Sequence, residues 1–137
     1  MKTSPFLIGC ATGLLTATLA CDGSSTTSPP GCYHNVEVAV VTGTIPLFSW
    51  APACGMSQLS VVNPAPTVGG SEETMWSFSV SENAPVGPRI RYGDAPVGAK
   101  VWVAPRQLVP GTRYHIHVFH TVGGDGLLGS GEADFTP

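Results

Sequence analysis

His115 and His117 stand two residues apart in Tyr114-His115-Ile116-His117-Val118-Phe119. In an extended strand, positions i and i+2 share a face about 7 Å apart. Two imidazoles at that spacing can grip Zn or Cu when a third ligand arrives from a neighbouring strand or loop. Asp125, Glu132 and Asp134 are the acidic residues that follow. The spacing does not choose among them, and a plain polar strand face is the competing reading. A second set with chemical potential is Arg89, Arg91, Lys100 and Trp102. If residues 89–92 and 99–104 pair through a turn at Asp94–Gly98, these four form a cationic patch around an exposed indole. Such a patch suits a partner carboxylate or a sugar ring, with cation–π contact inside it. The competing reading is a solvated face with one amphipathic Trp. Trp50 and Trp76 read as core residues.

Catalytic motifs do not stand out. The chain has no Gly-x-Ser-x-Gly elbow, no His-Glu-x-x-His, no Walker loop and no dinucleotide fingerprint. Gly123-Gly124-Asp125-Gly126-Leu127 is similar to one unit of the calcium-binding β-roll repeats. Those sites are built between stacked turns, so a single unit predicts only a permissive hairpin loop. Six Lys plus Arg stand against nine Asp plus Glu, for a formal charge of −3. That balance argues against a nucleic-acid partner, which asks for a basic patch. No cofactor is expected.

Residues 1–20 read as an export signal. Lys2 is the only charge, and Phe6 to Ala20 is apolar or small. Leu19-Ala20-Cys21 resembles the lipobox of bacterial lipoproteins, in which the thiol is acylated and becomes the new N-terminus. Thr18 stands where that motif carries Leu, and Leu7-Ile8-Gly9-Cys10 fits residue by residue but leaves almost no apolar run before it. Lipidation at Cys21 is the expectation; cleavage after Ala20 and an uncleaved anchor are the alternatives, and all three export the chain. Residues 21–33, rich in Ser, Thr, Pro and Gly, read as a flexible tether. Of four cysteines, cleavage removes Cys10 and lipid occupies Cys21. Cys32 and Cys54 then remain as an even pair in an oxidising compartment, where disulfides persist.

The elements that must position these groups are strands. Residues 34–137 are the size of one domain, and Gly and Pro punctuate short β-branched and aromatic runs. Strands are predicted around Val36–Val40, Ile45–Trp50 and Gln58–Val62. In residues 74–80, Trp76, Phe78 and Val80 point inward while Met75, Ser77 and Ser79 point outward. Arg89–Tyr92 follows, with Ile90 and Tyr92 inward, then Ala99–Ala104 with Val101 and Val103 inward. Arg113–His120 comes next, with His120 itself expected in a loop, and Gly131–Phe135 is last. About seven antiparallel strands with turn signals between them read as an all-β sandwich.

Two stretches carry a family resemblance. Pro46-Leu47-Phe48-Ser49-Trp50-Ala51-Pro52 resembles the second strand of a fibronectin type III domain, an Ig-like sandwich. Leu108-Val109-Pro110-Gly111-Thr112-Arg113-Tyr114 resembles that family's Leu-x-Pro-Gly-Thr-x-Tyr corner. The resemblance covers residues 36–137. It implies that Trp50 lies between two sheets and that the Tyr114 hydroxyl bonds back to nearby backbone. It also puts Cys32 and the Cys54 loop at one pole, so that a bridge between them is implied. Residues 63–98 are longer than the family's middle section, and strand assignment there stays open. The expected function is a lipid-anchored, non-catalytic module of a bacterial cell envelope, with a protein or carbohydrate partner. The alternative is a periplasmic metal-binding protein using His115 and His117.

Overall fold

The computed structural model describes residues 32, 34–64, 71–122 and 126–137. The proposed signal, Cys21, most of the tether and Asp125 lie outside the described residues. Eight strands follow one another: β1 (Glu37–Val41), β2 (Leu47–Ala51), β3 (Gln58–Asn63), β4 (Glu73–Ser79), β5 (Ile90–Arg91), β6 (Lys100–Val103), β7 (Tyr114–Val122) and β8 (Gly126–Phe135). They form two antiparallel sheets, one ordered β1-β2-β5 and the other β6-β4-β3-β7-β8. The chain is therefore an all-β sandwich, as the alternation predicts. Among the described residues no helix is long and apolar enough to cross a membrane.

The inward sets of the two sheets meet in one core. Phe48 and Trp50 of β2, Leu59 and Val61 of β3, Trp76 and Phe78 of β4, and Tyr114, Ile116 and Val118 of β7 are all buried. Phe48 meets Phe135 across the layer, ring centre to ring centre 5.4 Å, edge to face. Trp50 donates its indole N–H to the Cys54 carbonyl at 2.7 Å, so this core indole has a partner. Cys32 and Cys54 are joined in a disulfide.

The corner before β7 follows from its residues. Gly111 has φ near +80°, and Thr112 donates its N–H to the Val109 carbonyl at 3.1 Å. Pro at the second and Gly at the third position of such a turn are what a type II turn requires. The Tyr114 hydroxyl accepts the Val109 N–H at 2.9 Å, which fixes the corner to the start of the strand.

Four expectations change. Residues 89–92 and 99–104 do not pair with each other. Instead β5 pairs with β2, with Ile90 opposite Phe48, and β6 pairs with β4. Burying Ile90 beside Phe48 draws β5 into the smaller sheet, and the segment after it crosses to the edge of the larger one. Val101 is 45 % exposed and Val103 only half-buried. A bulge in the β4–β6 pairing sets Val101 opposite Phe78 and Val103 opposite Ser77, so the two valines no longer share a face. Met75 and Ser77 are buried. Met75 is the extra residue of a bulge against β3, and Ser77 is small and flanked by Ser60 and Val103. Finally, β7 runs on past His120, which is buried in the strand.

Candidate functional site

Register builds the outer face of the larger sheet. One cross-strand row runs Lys100, Ser79, Gln58, Phe119, Ser130. The next runs Val103, Ser77, Ser60, His117, Glu132, and a third holds Val62, His115 and Asp134. Directly opposed residues share a face, so β8 places Glu132 beside His117 and Asp134 beside His115.

The imidazoles of His115 and His117 sit edge to face with centres 4.3 Å apart. That is closer than the ~7 Å between the Cα atoms of such positions, so the rings lean together. Asp134 Oδ1 lies 2.6 Å from His115 Nδ1, and its other oxygen accepts from Arg113. With Nδ1 engaged, His115 turns Nε2 toward Glu132 Oε2, 3.5 Å away. His117 Nδ1 lies 3.7 Å from the same oxygen. One ligating atom from each of His115, His117 and Glu132 lies within 4.8 Å of the other two. His115 and His117 are 23 % and 27 % exposed, whereas Glu132 is 70 % exposed. The cluster therefore opens to solvent on its Glu132 side.

Burial, and then the neighbouring His115, hold His117 below the ordinary imidazole pKa; Glu132 and Glu72 oppose them. The neutral ring, which is the ligating form, is favoured. His117 also stacks on Phe119, their centres 6.0 Å apart and their planes 8° from parallel. The two rings form one wall of a groove of about 310 Å³ completed by Asn35, Val36, Ser130, Gly131 and Glu132.

The four residues of the expected cationic patch divide between the sheets. Arg89 and Arg91 line a cleft of about 510 Å³ on the smaller sheet, together with Asp94 and Pro96. Arg89 holds φ near +83°, a region uncommon for residues with a Cβ. Lys100 and Trp102 instead stand on the edge strand of the larger sheet. Trp102 is 57 % exposed, yet its ring is held. Its N–H donates to Ser79 Oγ at 3.0 Å, and the Lys100 ammonium lies 3.6 Å from the ring centre. Three strand spacings, about 14 Å, separate β6 from β7. Trp102 and the histidine cluster thus belong to one face without touching.

Sequence reasoning brought together His115 and His117, and it counted Glu132 among the candidate partners. It missed that Asp134 engages His115 rather than offering a free ligand atom, and that Ser79 positions Trp102. The outward parity of Ser79 was the available signal for the second. Compared with protein-family models, with curated proteins and with solved structures, the chain matches none.

Proposed function

We propose that this chain is a non-catalytic binding or surface-architecture module of a bacterial cell envelope. On this reading residues 1–20 export it, lipid on Cys21 anchors it to a membrane, and the tether over residues 21–33 holds the sandwich away from the bilayer. The sandwich is of the fibronectin type III-like kind; the Val109–Tyr114 hydrogen bond at the corner supports that assignment. The partner is a protein or a carbohydrate of the envelope.

The observation that carries the binding role is Trp102, an exposed indole held in place on the outer face of the larger sheet. An indole fixed before contact loses little side-chain freedom on binding, and Trp is enriched at binding hot spots. Lys100 covers the ring on one side, a contact of about 0.5–1 kcal/mol at an exposed site. The uncovered part of the ring is left for a sugar or an apolar side chain.

Two measurements test the reading. Labelled palmitate should enter the full chain and be lost in Cys21→Ala; incorporation that survives the substitution removes the anchor. Capture from envelope extract should be strong for the wild type and weak for the double variant Trp102→Ala with Lys100→Glu. Equal capture, with circular dichroism showing the variant folded, removes this face as the contact surface.

A further inference from the structure

We propose that His115, His117 and Glu132 form a binding site for a divalent cation of the zinc type on the outer face of the larger sheet, with Asp134 as positioning residue. The ligating atoms are His115 Nε2, His117 Nδ1 and Glu132 Oε2, and water completes the shell on the open side. The site stands independently of the partner-binding role of Trp102.

Geometry picks out the atoms and is compatible with a tetrahedral metal. Zn bonds of 2.0–2.2 Å to N and O in a tetrahedron place neighbouring ligand atoms about 3.3 Å apart. A square-planar site with bonds of similar length brings adjacent ligands to about 2.9 Å. The two nitrogens stand 3.5 and 3.7 Å from the shared carboxylate oxygen, nearer the tetrahedral edge. All three atoms fall within 4.8 Å of one another, and closing on an ion falls to the exposed Glu132 side chain and the His117 ring.

The surroundings also resemble a supported metal ligand. Asp134 holds His115 Nδ1 at 2.6 Å, and a carboxylate on the far nitrogen of a ligating imidazole fixes its tautomer and ring orientation. Asp134 is itself held by Arg113, so the arrangement runs guanidinium, carboxylate, imidazole, then the ligating nitrogen. His115 and His117 sit on a central strand paired on both sides. Their backbone positions are therefore set before any ion arrives, which lowers the cost of ordering the site. The contending explanation is a histidine–carboxylate network that takes protons and no metal.

Titration calorimetry on the full chain, purified in detergent without a polyhistidine tag, decides between them. With Zn(II) near neutral pH the expected result is one ion per chain, bound tighter than ~10 μM. Glu132→Gln replaces the carboxylate of a mostly exposed side chain by a neutral amide and does not threaten the fold; it should weaken binding at least tenfold. His117→Ala should do the same. Asp134→Asn leaves all three ligating atoms in place, yet should weaken binding by about 10–100-fold. Asp94→Asn, at the cleft of the smaller sheet, should leave it unchanged. Visible spectra of the Co(II) form, showing a tetrahedral site that Glu132→Gln alters, give a second readout. Binding weaker than ~10 μM, or tight binding indifferent to both Glu132→Gln and His117→Ala, would overturn the site.

Discussion

Asp134 engages both carboxylate oxygens, one with His115 and one with Arg113. The hydrogen bond from His115 holds its carboxyl below the ordinary Asp value of 3.8; partial burial opposes this, and Arg113 adds to the lowering. A carboxyl depressed in the fold stabilises it above the unfolded-state pKa. That contribution disappears as pH falls through the lowered value. Asp134→Asn should therefore be less stable than wild type at neutral pH and indistinguishable from it in strong acid. Urea melts at neutral pH and in strong acid provide the comparison. A gap of equal size at both pH values would contradict the assignment. Tyr114 tests a neutral contact. Tyr114→Phe leaves the Val109 N–H without its acceptor and should cost about 1–2 kcal/mol by denaturant unfolding. A loss near zero would mean that water replaces the hydroxyl at the corner.

Strand β7 was legible because strict alternation fixes its faces, and the Pro-Gly turn before it fixes where it starts. The same reasoning found β2 and β3. It failed at Met75 and in β6, where a bulge breaks the period of two. A bulge depends on the partner strand, which lies far away in sequence. The pairing of β5 was hidden for a related reason: Ile90 is buried beside Phe48, forty-two residues earlier. The candidate site was half legible. Spacing alone put His115 and His117 together, but choosing Glu132 over Asp125 or Asp134 needed the register of β7 against β8. The lead-in to β1 was not legible either. Val36 donates its N–H to the Ser130 carbonyl at 2.9 Å and closes the edge of β8. The approach depends on glycine: a Cβ at Gly131 would stand 2.5 Å from Val36 Cγ2 and 2.7 Å from the Val36 carbonyl oxygen. Gly131→Ala should therefore lose about 1–3 kcal/mol, as overpacking does, and raise amide exchange at Val36. A neutral outcome would show that the edge yields without cost.

At the scale of the whole molecule, two sheets share one core and a covalent bridge joins Cys32 to Cys54, 22 residues on. Closing a loop of that length stabilises the fold by about 3 kcal/mol through lost freedom in the unfolded chain. For a domain stable by roughly 5–15 kcal/mol this is a large share. Reduction should lower the urea midpoint accordingly, and alkylation before reduction should leave both cysteines unlabelled. Free thiols at 32 and 54 in the folded protein would refute the bridge. The bridge also decides how the molecule bears tension. A pull applied from the N-terminal side enters at Cys32 and passes through the sulfur–sulfur bond directly to Cys54. The segment between them, which holds β1 and β2, is bypassed. Those strands carry no load while the bond is intact, and the force reaches β3 first. Stretched from its two ends in a force spectrometer, the oxidised domain should unravel to a contour shorter by about 75 Å than the reduced one.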